Sequence, residues 1–191
     1  MGSFYTNITL RTGRHDDVVA ALRDEGREAF VSRPQNGCVV VYDRECEEQD
    51  IEVIKKLGAA LSAKLRCAAF SVLNHDDDVL IYVLHDNGKL VDEYNSSPAY
   101  FDSGPGEPPE GGDASRLGSA FGIASTGGIE EVLHMPNGAG SGEGYIFESE
   151  RHQALAEALG APAIAVQAGF NYIEEGELPE GADADTFTRV D

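Results

Sequence analysis

Basic residues are scarce in this chain of 191 residues. Lys and Arg number 14 against 34 Asp and Glu, so the formal net charge is −20, and four of the 14 are lysines. A surface of this kind lacks the cations that displace condensed counterions, which argues against binding to nucleic acid or to anionic membranes. Binding of a basic protein partner or of a divalent cation is compatible with such an acidic surface. Solubility, or adaptation to a salty cytoplasm, also accounts for the charge.

Cysteine and long apolar runs are also scarce. The three cysteines, Cys38, Cys46 and Cys67, are odd in number and form no CxxC pair, so neither a zinc ribbon nor a disulfide framework is indicated and a reducing compartment is favoured. The sequence contains no run of 18 apolar residues, so it predicts no membrane-spanning helix. Residues 1–5 lack the basic and apolar regions of a signal peptide. We therefore expect a cytoplasmic protein that does not associate with membranes.

The negative charge is concentrated in the second half of the chain. Residues 1–100 contain 17 acidic and 11 basic residues, a balance of −6. Residues 101–191 contain 17 acidic and 3 basic residues, a balance of −14. An asymmetry of this size can steer a cationic partner towards the second half.

The apolar pattern of the first hundred residues predicts the element order β-α-β-β-α-β followed by a hairpin. This order matches the ferredoxin-like split-βαβ unit. We expect the hairpin to extend the sheet beyond the fourth strand, because Asp86-Asn87-Gly88 is a strong tight-turn signal. The predicted strands span 4–10, 29–31, 38–42, 68–73, 79–84 and 90–94, and the predicted helices span 16–25 and 48–65.

The second half is predicted to cover the sheet. Residues 101–113 have the Pro, Gly and acid content of a loop, residues 114–175 contain helical patterns and a short strand at 163–166, and residues 176–191 are expected to be a loosely ordered tail. Val79–Leu84 is apolar at every position, so both faces of this strand must be buried. We therefore expect one compact α+β domain over 1–191, with the segment 114–175 packed on the sheet.

No intact catalytic motif is present. The glycine tract 138–144 has Glu143 where a dinucleotide fingerprint needs its last glycine, so a loop is the better interpretation. Nucleophile-elbow spacing is absent. Cys46 lies among acidic neighbours, Asp43 and Glu45 included, which suppress the reactive thiolate. The sequence favours a non-enzymatic protein but leaves the question of catalysis open.

One polar cluster is a candidate site. The stretch Asn74–Asp78 lies between the fourth and fifth strands, and an antiparallel hairpin returns Ser96 and Ser97 to the same sheet edge. The ordinary interpretation is a polar loop whose side chains cap backbone groups. Tyr94, Tyr100 and Phe101 follow as an aromatic patch that more often tethers a loop. The candidate binding residues are Asn74, His75, Asp76, Asp77, Asp78, Ser96 and Ser97.

Two functional hypotheses follow. The leading one is a non-enzymatic binding or regulatory protein without a cofactor, such as an immunity-type inhibitor or a regulatory subunit, whose acidic surface engages a basic protein. The alternative is a metal-dependent enzyme or metal-sensing domain, because carboxylates and imidazole are suitable ligands for a divalent metal ion. Its ligands would be His75, Asp76, Asp77 and Asp78.

Overall fold

A computed structural model describes residues 2–103, 107–136, 138 and 144–191. Within them the chain has the predicted α+β class, with eight strands and seven α-helices. The strands are β1 (Tyr5–Leu10), β2 (Ala29–Ser32), β3 (Val39–Asp43), β4 (Ala68–His75), β5 (Val79–Asp86), β6 (Lys89–Asn95), β7 (Glu110–Gly111) and β8 (Phe187–Val190). The α-helices are α1 (His15–Asp24), α2 (Ile51–Leu65), α3 (Tyr100–Ser103), α4 (Ala114–Phe121), α5 (Gly127–His134), α6 (Glu148–Leu159) and α7 (Phe170–Glu174). Short 3-10 helices span Cys46–Glu48, Ala163–Ala165 and Ala184–Thr186.

All eight strands form one antiparallel sheet in the order β7-β6-β5-β4-β1-β3-β2-β8. β5 pairs with β4 along its whole length, from His75 opposite Val79 to Ala68 opposite Asp86. The β5–β6 hairpin therefore continues the sheet beyond β4. Its turn residues Asn87 and Gly88 have φ values of 50° and 79°, the left-handed conformation that a tight hairpin turn requires.

Helices α1 and α2 cover one face of the sheet. The apolar residues of α2 recur every three or four positions, which places them on the face that packs on the sheet, mainly on β4 and β5; they are Ile54, Leu57, Leu61 and Leu65. The helix begins at 51 rather than at the predicted 48, because Gln49 adopts a left-handed φ of 61° after the short 3-10 turn. The Asp50 side chain then caps the amide of Glu52.

The segment from α4 to α7 covers the other face. Leu80, Tyr82 and Leu84 of β5 pack in one cluster with residues of α4, α5 and α6. Further along the sheet, Val40 and Tyr42 of β3 pack against the segment 164–173. Residue Ile81 of β5 contacts the α2 side instead. The unbroken apolar pattern of β5 is thus explained by burial between two helical layers.

Several local expectations for the second half are wrong. Residues 187–190 are not a loose tail but form β8, which satisfies the outer backbone groups of β2, and four residues are too few for a periodic signal. Residues 163–165 form a 3-10 helix, not a strand. Residues 101–103 belong to α3 and residues 110–111 pair with β6, so 101–113 is not loop throughout. Residues 104–106 and the glycine tract, except Gly138 and Gly144, lie outside the described residues.

No helix in the described part of the chain is both long and apolar enough to cross a bilayer.

Candidate functional site

The structure places the predicted polar cluster at one edge of the sheet. Leu80 connects the stretch 74–78 with the stretch 96–97. Leu80 is opposite Asn74 in the β4–β5 ladder, and the Leu80 amide donates to the Ser96 hydroxyl at 2.9 Å. The turn from β4 to β5 is tight, with the Asp78 amide donating to the carbonyl of His75 at 3.0 Å. The seven candidate residues therefore come from adjacent strand ends, as antiparallel pairing requires.

Asp77 points into the protein. Its carboxylate accepts hydrogen bonds from the amides of Ser3 and Ser149, at 3.0 and 3.3 Å, and from the Asn74 side chain at 3.1 Å. Burial by itself raises the pKa of this carboxyl, but these hydrogen bonds outweigh it and the net pKa is lowered. The Asp77 carbonyl also accepts from the amide of Glu148 at 2.8 Å. Asp77 thus fastens the N-terminal segment to the start of α6.

The other two carboxylates of the turn are directed elsewhere. Asp76 accepts from the amide of Gly2 at 3.0 Å, and Asp78 accepts from the Tyr100 hydroxyl at 2.9 Å. Within the described residues, no group of three or more His, Cys, Asp or Glu side chains could hold a metal ion. The structure therefore gives no support to the predicted ligand set of His75, Asp76, Asp77 and Asp78.

Ser96 belongs to a buried ionic network. Glu148 and Arg151 are both fully buried and form a bidentate pair, with N–O distances of 2.7 and 3.1 Å. Burial raises the pKa of Glu148, and hydrogen bonds from Arg151 and Ser96 counteract part of this rise. Arg151 also donates to the carbonyls of Val132 and Met135, at 2.7 and 2.8 Å. The network joins the end of β6 to α5 and α6, so Ser96 has a structural partner.

Ser97 lies in the turn between β6 and helix α3. Its amide donates to the Asn95 side chain at 2.9 Å, and its carbonyl accepts from the amide of Tyr100 at 3.1 Å. Both bonds stabilise the chain reversal after β6, and the Ser97 side chain is buried there.

Aromatic side chains surround His75 at the same edge. The ring centroids of Phe4, Phe101 and Tyr100 lie 4.9, 5.1 and 6.0 Å from that of His75. Phe4 is 42% exposed and Phe101 is 64% exposed. Tyr94, the remaining residue of the predicted aromatic patch, is instead buried and donates to the carbonyl of Leu133. We name Phe4, His75, Tyr100 and Phe101 the aromatic rim.

A groove of about 540 Å³ lies beside this edge, between α6 and the segment that follows it. Three of its lining residues, Glu157, Glu177 and Glu180, are acidic, and none of the described lining residues is Lys or Arg. The walls come from Ser3 and from the stretch 153–180. Residues 152–188 contain seven acids and no Lys or Arg, and one of these acids, Glu174, pairs with Arg189. We name this feature the acidic groove.

The acidic groove and the aromatic rim adjoin each other. Ser3 lines the groove, and the next residue, Phe4, belongs to the rim. The Phe4 amide donates to the hydroxyl of Tyr172, another lining residue, at 3.3 Å. Sequence reasoning missed the groove because its walls are assembled from separate segments. The lack of basic residues over 152–188 was the one signal that could have drawn attention to it.

Comparison of the chain with models of protein families, with curated proteins and with solved structures gives no match.

Proposed function

We propose that this chain is an intracellular binding or regulatory protein that holds a basic segment of a protein partner in the acidic groove. An immunity-type inhibitor or a regulatory subunit would act in this way, in the cytoplasm and without catalysis. One observation carries the proposal: three carboxylates and no cationic side chain line a groove of about 540 Å³. A ligand of opposite charge is the one that this lining attracts.

The dimensions and the lining of the groove suit an extended basic segment. Its volume falls within the range of roughly 300 to 1,000 Å³ that is usual for ligand sites. Ala156, Val166 and Leu178 supply apolar contact for the aliphatic stem of a lysine or arginine, whose charged end can remain near the carboxylates. Nucleic acid and anionic lipid are repelled by the same charges.

We also propose that β1 to β4, with α1 and α2, form a ferredoxin-like unit. The support is the order β4-β1-β3-β2 with antiparallel neighbours, together with the chain order β-α-β-β-α-β. In this interpretation the hairpin, β7 and β8 are additions at the two sides of the unit. The groove would then belong to the layer that is added on the face opposite α1 and α2.

A peptide titration tests the binding proposal. A fluorescently labelled peptide with four lysines spaced by Gly and Ser is titrated with the protein, and anisotropy is measured at low and moderate salt. We expect saturable binding that weakens as salt rises, because the charges are solvent-exposed. The triple variant Glu157→Gln, Glu177→Gln, Glu180→Gln should bind about tenfold more weakly, since each exposed charge contributes about 0.5 kcal/mol.

A control variant with the same change in net charge distinguishes binding in the groove from attraction by the overall negative charge of the protein. Asp16, Glu107 and Glu131 are exposed and line no part of the groove, so their replacement by Asn, Gln and Gln should change the affinity less than about twofold. Equal weakening in both variants would contradict the proposal. It would favour a charge that serves solubility or salt adaptation.

A further inference from the structure

Two rings of the aromatic rim are partly exposed to solvent, Phe4 by 42% and Phe101 by 64%. Elsewhere in the molecule arginines lie over aromatic rings: Arg44 is 5.7 Å from the centroid of Phe170, and Arg189 is 5.5 Å from that of Phe30. The buried Arg151 lies 4.7 Å from the ring centroid of Tyr145. Among the described residues, the cation–π contacts involve none of the four rim residues.

Basic residues are absent from the stretches of sequence that carry the rim. The rim residues come from three stretches, 1–10, 67–88 and 90–115, which contain ten acids and no Lys or Arg; two of these acids, Glu93 and Asp113, pair with Lys55 and Arg116. Phe4 and Phe101, which both contact His75 and are both partly exposed, can meet a cation supplied from outside the chain. The face of an aromatic ring attracts a cation through its quadrupole.

Carboxylates next to the rim add to this attraction. Asp78 accepts a hydrogen bond from the Tyr100 hydroxyl at 2.9 Å. This bond, with the negative charge of Asp78 and Asp76, raises the pKa of Tyr100. The carboxylates of Asp76 and Asp78 thus lie close enough to Tyr100 to affect its pKa, and carboxylates near a ring favour a cation there over a neutral apolar group.

We infer that the partner's basic segment presents an arginine that stacks on Phe101 and Phe4 of the aromatic rim while its neighbouring residues occupy the acidic groove. The inference rests on the proposed function and specifies the cation. A guanidinium is planar, weakly hydrated and able to stack on rings while it pairs with a carboxylate. An ammonium is a strongly hydrated point charge, so lysine gains less from the same surface.

The experiment compares two labelled peptides that are identical except for four arginines in place of four lysines. Both are titrated into the full chain by anisotropy at one salt concentration. We expect the arginine peptide to bind about threefold more tightly, the size of an exposed cation–π contact. Phe101→Leu and Phe4→Leu keep an apolar side chain but remove the ring, so each should reduce the arginine advantage and leave lysine binding unchanged.

Leu90→Ala is the matched control, because Leu90 is 53% exposed and lies at the opposite end of β6. It should leave the affinity for both peptides unchanged, and thermal melts should show that every variant is folded. Equal affinity for the two peptides, or an arginine advantage that persists in both ring variants, would overturn the inference while the groove proposal stands. Failure of both peptides to bind would overturn both.

Discussion

Replacement of Arg151 by methionine tests the most deeply buried ionic contact of the fold. Arg151 is fully buried; it pairs with Glu148 and donates to the two carbonyls at the end of α5. Methionine fills part of the volume but leaves the carboxylate of Glu148 in the interior without its cation. Removal of one partner of a buried pair costs about 3 to 5 kcal/mol. We expect a loss of that size in the free energy of unfolding at neutral pH.

Urea unfolding, followed by circular dichroism at pH 7.5 and pH 5.5, measures this loss. Burial already raises the pKa of Glu148, and the cation that counteracts the rise is absent in the variant. The folded variant then takes up a proton at higher pH than the unfolded chain. A carboxyl group whose pKa is raised on folding lowers the free energy of unfolding most at pH values above that raised pKa, and the loss shrinks as pH falls. The deficit of the variant relative to wild type should therefore be smaller at pH 5.5.

Two further variants decide the interpretation. Adding Glu148→Gln to Arg151→Met removes the uncompensated charge and should recover about 1 to 3 kcal/mol. Arg116→Met breaks an exposed pair with Asp113, in which the two side chains are 58% and 43% exposed, and should cost less than about 1 kcal/mol. A deficit for Arg151→Met no larger than that of Arg116→Met, or one that grows in acid, would refute the reasoning.

Two other predictions concern buried titratable groups. Burial lowers the pKa of His152 to about 3. The neutral side chain therefore contributes fully to stability above the ordinary pKa of about 6.5, and this contribution is lost at about 1.4 kcal/mol per pH unit as pH falls towards 3. In urea unfolding between pH 7.5 and 4.5, the free energy of unfolding of His152→Gln should depend less steeply on pH than that of wild type, and parallel curves would contradict this. Asp77→Asn should lower the free energy of unfolding at pH 7 by about 1 to 3 kcal/mol, because an amide cannot replace both acceptor oxygens. Since the pKa of Asp77 is lowered, this deficit should fade as pH falls below about 4; an unchanged urea midpoint at pH 7 would count against the assigned role.

For the candidate site, the sequence pattern predicts which residues share a sheet edge but not where their side chains point. Antiparallel pairing alone brings Ser96 to the same edge as His75, and the structure has both residues there. The direction of each side chain was not predictable, because it depends on segments that are remote in sequence. Asp77 turns inward to meet amides at Ser3 and Ser149, and those partners are 74 and 72 residues away.

Local periodicity and turn chemistry determined the elements of the first hundred residues, because a strand or a helix of sufficient length leaves its period in the apolar pattern. Composition likewise determined the excess of negative charge. Only the tertiary structure decided that residues 187–190 complete the sheet and that α6, α7 and Ser3 enclose a groove. Such features arise from packing between distant segments, and packing leaves no period in either segment alone.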